Sequence, residues 1–199
     1  WALADGLSGS RRGDRAAEVA LELVAEAWEK EGPALSPELV RKAHDYVRLQ
    51  GRLVGAEGMA TALTCVLFLP QGPVRWVHVG TSRLYLLRGG VLHRLTRDHT
   101  KVALAVERGF LTPEVAAIHP DRFVLYQAVG GPEPPVPDVG EAPLEAGDGW
   151  LLLSDGVFDG LTDEELAAEL EAGGSLEGGL RRLLERAERL GTGNATALA

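Results

Sequence analysis

The chain opens with Trp1-Ala-Leu-Ala-Asp5-Gly6-Leu-Ser-Gly9-Ser10, an apolar strand that runs directly into an acid and then into glycines. A carboxylate at the end of a buried strand, beside a glycine whose carbonyl can approach a ligand closely, is typical of a hard-cation site. The same pattern returns in Trp150-Leu-Leu-Leu-Ser154-Asp155-Gly156. The two acids could converge on one metal centre; the alternative is that each Asp-Gly pair simply makes a turn.

Two pairs of amphipathic helices flank the middle of the chain. Trp28 completes the apolar stripe of the first helix, so we expect this side chain to be largely buried. Ser36-Pro37-Glu38 begins the second helix with a capping hydroxyl and a proline, and Thr162-Asp-Glu-Glu165 is a capping box for a later one. The four helices are predicted at residues 14–30, 36–54, 162–171 and 176–190.

Between the helix pairs, β-rich apolar runs are joined by short turns such as Gly89-Gly90, and short turns join antiparallel strands. Residues 97–122 interrupt these runs with short helices, which predicts a lid insertion. The order of elements predicts an α+β fold, a four-layer α-β-β-α sandwich of two antiparallel sheets flanked by helix pairs, in one domain over residues 1–199. The strands are predicted at residues 1–4, 59–69, 74–80, 82–88, 91–96, 123–129, 149–154 and 195–199.

Composition narrows the class of protein. The formal charge of −9, from 29 acidic and 20 basic residues, argues against binding to nucleic acid or to anionic membrane surfaces. Cys65 is the one cysteine, in an apolar run that favours a small buried side chain over a nucleophile. Without an internal disulfide or a run of about 18 apolar residues, we expect a cytoplasmic monomer with no membrane span. The apolar first and last segments predict flanking residues at both ends of this sequence.

Five segments, in chain order, resemble the motifs of the metal-dependent protein phosphatases of type 2C, and in particular the bacterial members. The opening segment is similar to that family's Asp-Gly-Met-Gly-Gly, and the later ones to its Gly-Met-Gly-Thr-Thr, Gly-Asp-Ser-Arg, Leu-Thr-x-Asp-His-Ser and Ser-Asp-Gly. The segments are Ala4-Asp5-Gly6-Leu7-Ser8-Gly9, Glu57-Gly58-Met59-Ala60-Thr61, Val79-Gly80-Thr81-Ser82-Arg83, Leu95-Thr96-Arg97-Asp98-His99-Thr100 and Leu153-Ser154-Asp155-Gly156.

The resemblance implies a β-sandwich with Mn2+ or Mg2+ and a water, activated by the divalent metal, that hydrolyses phosphoserine or phosphothreonine in a phosphoprotein substrate. By the same resemblance Asp5 and Asp155 are the catalytic acids. Asp5 would bridge two ions, the Gly6 carbonyl would complete one coordination sphere, and Asp155 would hold the other ion. Hard cations of this kind prefer carboxylate and carbonyl oxygens.

Two positions depart from the family pattern. Thr81 stands where the family has an acid for a third metal, and Gly193 stands where its terminal Asp-Asn-x-Thr motif has an acid, ahead of Asn194. Neither residue can replace a carboxylate beside a divalent cation, so we expect weak metal binding.

Several residues are candidates for supporting roles. Asp159 could orient a water at the metal or be a plain loop acid, and Asn194 belongs to the terminal motif. Arg11 and Arg12 could meet a substrate phosphate or form an exposed basic pair. Asp98-His99 could form an acid pair near the lid or lie in a solvated loop.

Three functions stay open from the sequence. The first, which we favour, is a serine/threonine phosphatase with reduced activity. The second is a catalytically inactive pseudophosphatase that serves as a regulatory or scaffolding module for a protein partner. The third is an unrelated α+β protein whose Asp-Gly pairs are only turns.

Overall fold

The computed structural model describes residues 1–32, 34–191 and 194–199. Its strands are β1 Ala2–Gly6, β2 Thr61–Leu67, β3 Val74–Val79, β4 Arg83–Arg88, β5 Val91–Arg94, β6 Asp138–Ala142, β7 Gly149–Leu153 and β8 Ala197–Leu198. Its helices are α1 Gly13–Glu31, α2 Pro37–Leu53, α3 Lys101–Glu107, α4 Pro113–Ala117, α5 Asp155–Phe158, α6 Asp163–Ala172 and α7 Leu176–Leu190. Of the helices described, none combines the length and apolar composition that a membrane crossing requires.

The chain divides into two compact units, each with one antiparallel sheet and one pair of long helices. The first sheet has the strand order β1-β2-β3-β6, and the second has the order β5-β4-β7-β8. The four predicted long helices and the α+β class are therefore confirmed. The first unit comprises Trp1–Ser82 and Asp98–Pro143, and the second comprises Arg83–Arg97 and Leu144–Ala199.

In the first unit, α1 and α2 pack on one face of the sheet. Side chains alternate between the two faces of a strand, so every second residue of β2 and β3 points to the helices. Cys65 is one of them: it is buried as predicted, and burial raises the pKa of its thiol to about 12. The core on this face includes Val19, Ala20, Val24, Val40, Ala43, Val47, Leu63, Val77 and Val79.

Trp28 is partly buried, which agrees in part with the prediction of a largely buried side chain. It packs at the border of the same core. Its indole N–H donates to the Ala34 carbonyl at 3.2 Å, and the bond lies in an exposed position. An indole ring with a polar edge is stable at such a boundary, where one end is apolar and the other reaches solvent.

The strand predicted at residues 123–129 is wrong. The segment makes only two isolated bridges, Thr61 with Val129 and Thr100 with Leu125. The strand was predicted from the apolar side chains of this segment. Phe123 and Tyr126, however, are 40% and 37% exposed and do not line a sheet face. The strand that pairs with β3 instead is β6, which the sequence analysis missed.

In the second unit, α6 and α7 pack on the sheet through a core that includes Tyr85, Leu151, Leu153, Leu166 and Leu183. The predicted capping box is present at the start of α6: the Thr162 hydroxyl accepts from the Glu165 N–H, and the Glu165 carboxylate accepts from the Thr162 N–H. The strands of this unit are shorter than predicted. The last strand, predicted at 195–199, is only Ala197–Leu198.

An ion pair in the second unit predicts how stability depends on pH. Arg88 donates two hydrogen bonds of 2.7 Å to Asp148, whose side chain is 2% exposed. The Arg88 hydrogen bonds lower the pKa of Asp148 from 3.8 to about 2. A carboxyl whose pKa is lowered by folding contributes stability above its unfolded pKa, and that stability is lost as the pH falls from 3.8 towards 2.

We therefore expect Asp148→Asn to lower the urea midpoint relative to the parent protein at pH 5, and the two midpoints to converge near pH 2. Urea unfolding followed by circular dichroism at both pH values measures this difference. A difference that is the same at both pH values would contradict the role of the ionised carboxylate.

Candidate functional site

Asp5 is the second-last residue of β1, where it pairs with Ala62 of β2. The strand continues to Gly6, further than predicted. Ala2 and Ala4 pack against the helix core, so Asp5 lies on the opposite face of the sheet. Its Oδ2 atom is buried. The fold thus holds one carboxylate oxygen at a fixed place on a strand.

Gly6 must be glycine because the start of α1 lies directly on its backbone. A Cβ atom at position 6 would be 2.2 Å from the Gly13 carbonyl oxygen, and one at position 13 would be 2.7 Å from the Leu7 carbonyl oxygen. Contacts this short with backbone atoms cannot be relieved by rotating a side chain. The two glycines therefore fix α1 against the residue that follows Asp5.

The basic pair before α1 is exposed. Arg11 and Arg12 both have exposed side chains, and Arg12 Nε lies 3.4 Å from Asp14 Oδ1. Arg12 has φ 50°, the one positive φ outside glycine among the described residues. The structure thus shows an exposed basic pair, and its role towards a phosphate stays a prediction.

Thr81 follows Gly80, whose backbone packs against Ala62 on the side of β2 away from β1. Gly80 has φ 114°, and a Cβ atom there would be 2.4 Å from Ala62 Cβ. Thr81 is 6% exposed. A neutral hydroxyl is therefore buried at the position that the resemblance relates to a metal-binding acid.

His99 lies in the interior, so the interpretation of this residue as part of a solvated loop is wrong. It is 0% exposed. The backbone N–H of His99 donates to the Gly80 carbonyl at 2.8 Å, and the ring atom Nδ1 accepts from the Gly80 N–H at 3.3 Å. Its Nε2 lies 3.3 Å from Asp138 Oδ2. The sequence analysis missed Asp138, because the acid joins the sheet only through the pairing of β6 with β3.

In the second unit, Asp155 is the first residue of the short helix α5 and is half-buried. The preceding Ser154 Oγ accepts from the Thr196 N–H at 2.9 Å. A Cβ atom on Gly156 would be 2.5 Å from the Asn194 carbonyl oxygen. The structure therefore brings Asn194 beside the Ser154-Asp155-Gly156 turn, whereas Gly193 lies outside the described residues.

Asp159 directly follows α5, four residues after Asp155. Its N–H donates to the Asp155 carbonyl at 2.9 Å, and its own carbonyl accepts from Arg186 at 3.2 Å. Both acids are half-buried. The role of Asp159 in orienting a water stays a prediction.

The donors fit a hard cation in kind, because carboxylate and carbonyl oxygens are what Mn2+ and Mg2+ prefer. Asp5 and the Gly6 carbonyl belong to the first unit, and Asp155 belongs to the second. Across residues 1–32, 34–191 and 194–199, no group of three or more His, Cys, Asp and Glu side chains is arranged to hold a metal ion. Magnesium sites commonly use only one or two carboxylates and keep several waters, so the few donors that each unit offers are of a kind that such an ion accepts.

Comparison with known proteins identifies the family. Residues 1–189 match the family model described as Protein phosphatase 2C. The serine/threonine protein phosphatase PstP of Mycobacterium tuberculosis is 36% identical over 199 residues, which cover 96% of this chain and 37% of PstP. Protein phosphatase PhpP of Streptococcus pneumoniae is 33% identical over 171 residues, which cover 82% of this chain and 69% of PhpP.

Solved structures agree with these sequence matches. A crystal structure of the M. tuberculosis phosphatase PstP/Ppp has a TM-score of 0.84 at 33% identity, covering 98% of this chain and 84% of that one. The PstP catalytic domain in complex with two manganese ions has a TM-score of 0.81 at 32% identity, with the same coverage. The chain spans 37% of the length of the full PstP protein. On the family match and these identities, the chain belongs to the protein phosphatase 2C family.

Proposed function

We propose that this chain is a protein phosphatase domain that hydrolyses phosphoserine and phosphothreonine with the help of Mn2+ or Mg2+, at reduced activity. The observation that carries the proposal is the corner formed by Asp5, Gly6 and the start of α1, where a strand carboxylate and a glycine carbonyl are fixed by backbone contacts. The relative PstP, whose catalytic domain was solved with two manganese ions, supports the choice of metal.

The carboxylates of Asp5 and Asp155 and the carbonyl of Gly6 would hold the ions. Divalent ions supply a Lewis acid that makes water a better nucleophile and neutralises charge on the phosphoryl oxygens. Asp5 provides an anionic oxygen whose place is set by strand pairing. Asp159, four residues after Asp155, would accept a hydrogen bond from the attacking water and so orient it. The exposed Arg11 and Arg12 attract the dianionic phosphate by charge.

Metal binding should be weak because two acids of the family pattern are replaced. Thr81 is buried and neutral, and Gly193 has no side chain to offer. Sites with few charged ligands bind calcium with dissociation constants of about 10⁻⁴–10⁻³ M, and we expect a similar range for Mn2+. The buried neutral Thr81 also favours the second candidate function, a pseudophosphatase that acts as a regulatory or scaffolding module.

A Mn2+ titration separates the two functions. We expect slow hydrolysis of p-nitrophenyl phosphate and of a phosphothreonine peptide that saturates at millimolar Mn2+. At ten times the dissociation constant, binding should stabilise the folded state by about 1.4 kcal/mol, which a thermal unfolding scan detects. If saturating Mn2+ gives neither turnover nor a change in melting temperature, the chain is not a metal-dependent enzyme and the scaffolding function becomes the proposal.

A further inference from the structure

A row of polar side chains crosses the sheet of the first unit on the face opposite its helices. Thr64 pairs with His78, and His78 pairs with Asp138, on three adjacent strands. Thr64 Oγ1 and His78 Nδ1 lie 2.7 Å apart, and both residues are 0% exposed. Burying a polar group costs free energy unless the group is hydrogen-bonded, so the bonded pair of Thr64 and His78 specifies one arrangement of these two side chains.

His99 connects this row to the turn that carries Thr81. Its Nε2 lies 3.3 Å from Asp138 Oδ2, and its ring centroid is 5.0 Å from that of His78. Its Nδ1 accepts from the Gly80 N–H, and its backbone N–H donates to the Gly80 carbonyl. One buried residue, through its backbone N–H and its ring, thus bonds the Gly80 backbone on both sides of its Cα atom.

The turn and Asp5 lie on either side of the same residue of β2. Asp5 pairs with Ala62 on β1, and the Gly80 backbone packs on Ala62 from the other edge. Two interstrand spacings separate Asp5 from Gly80, roughly 10 Å. A displacement of the Gly80 peptide therefore moves Thr81 relative to the Asp5 carboxylate.

We propose that His99 is a positioning residue for the Asp5 site. It fixes the turn of Gly80 and Thr81 against β2 through its Nδ1 atom, while Asp138 holds the ring by facing Nε2. The effect on metal binding rests on the proposed function, whereas the fixing of the turn does not. The two parts are therefore measured separately.

Two amide substitutions distinguish the nitrogens of the ring, because each places a polar atom near only one of them. In His99→Asn the amide oxygen occupies the place of Nδ1 and can still accept from the Gly80 N–H. In His99→Gln the amide oxygen lies near the place of Nε2, so the Gly80 N–H loses its hydrogen-bond acceptor. In metal-free protein we expect amide hydrogen exchange at Gly80 to accelerate about tenfold in His99→Gln, the scale of one hydrogen bond, and to stay near the parent rate in His99→Asn.

Mn2+ binding provides the second measurement. We expect the Mn2+ concentration at the midpoint of the thermal shift to rise about threefold or more in His99→Gln and to change little in His99→Asn, since weaker fixing of the turn lowers the population of the binding geometry. A general loss of packing would affect both variants alike, so rescue by asparagine is the signature of positioning.

His44 offers a matched control in the same unit. It is 1% exposed, and its Nδ1 accepts from the Gly130 N–H at 3.2 Å. His44→Gln should accelerate exchange at Gly130 while leaving both Gly80 exchange and the Mn2+ midpoint unchanged. If His44→Gln shifts the Mn2+ midpoint as much as His99→Gln does, the effect is not specific to the turn and the proposal is overturned.

Other outcomes are equally decisive. Unchanged Gly80 exchange in His99→Gln overturns the fixing of the turn, and faster exchange with an unchanged Mn2+ midpoint overturns the link to the Asp5 site. If the parent protein shows no Mn2+ shift, the proposed function fails and takes that link with it, while Gly80 exchange still decides the role of His99. Should His99→Gln not fold, Asp138→Asn is measured in the same way, and unaltered exchange at Gly80 there rejects the proposal.

Discussion

Gly6→Ala is expected to lower the melting temperature by about 10 °C or more. The new methyl group would be 2.2 Å from the Gly13 carbonyl oxygen and 2.9 Å from the Asp14 amide nitrogen. Overpacking commonly costs about 1–3 kcal/mol and sometimes more, and here the obstacle is backbone at the start of a 19-residue helix. For a chain of this size each kcal/mol corresponds to about 2–4 °C. Thermal unfolding followed by circular dichroism measures the effect.

Gly9→Ala is the matched control, because it makes the same substitution three residues later, in the turn that follows β1. A Cβ atom at position 9 meets nothing within 4 Å. Its melting temperature should therefore stay within about 2 °C of the parent value, as for most surface substitutions. If the Gly6→Ala and Gly9→Ala proteins have the same melting temperature, α1 does not rest on the Gly6 backbone.

Asp5→Asn is expected to reduce phosphatase activity by about a hundredfold or more and to remove the Mn2+ thermal shift. Asparagine has nearly the shape of aspartate, so the pairing of Asp5 with Ala62 should persist. What is lost is the negative charge opposite the divalent ions, whose stabilisation of transition-state charge is worth several kcal/mol, and each 1.4 kcal/mol is a factor of ten in rate. Turnover and melting temperature are measured across the same Mn2+ titration.

Asp14→Asn controls for a general change of charge in this region. The Asp14 side chain is 68% exposed and pairs with Arg12 on the surface. Activity and the Mn2+ shift should both survive this substitution. If Asp5→Asn retains the Mn2+ shift, Asp5 does not hold the ion; if it abolishes a measurable activity, the scaffolding alternative is rejected.

The helices were predictable because their signals are local. The hydroxyl of Ser36 accepts from the Leu39 N–H as its position before Pro37 indicates, and the capping box at Thr162 forms as its spacing predicts. Strands were less predictable because pairing is not local. The segment of β6 contains two acids, a glycine and only two apolar residues, so its character as a strand comes from pairing with β3.

The candidate site divides in the same way. Asp5 and Asp155 were recognised because each follows an apolar run and precedes a glycine, and the structure places each beside a glycine with no room for a side chain. The contact of His99 with Gly80 spans 19 residues. Nothing in the spacing of the two residues indicates that contact, and only the resemblance of the segments around them marked either as notable.

The burial of Cys65 gives the protein an internal reporter of unfolding. Cys65 is the one cysteine of the chain. It lies on a strand with a neighbour on each side, and it pairs with Ala2 of β1 and with Val77 of β3. With its pKa raised to about 12, almost no reactive thiolate exists in the folded state at neutral pH. Alkylating reagents therefore modify this thiol only in molecules whose sheet has opened, and the rate of labelling counts those openings without any added probe.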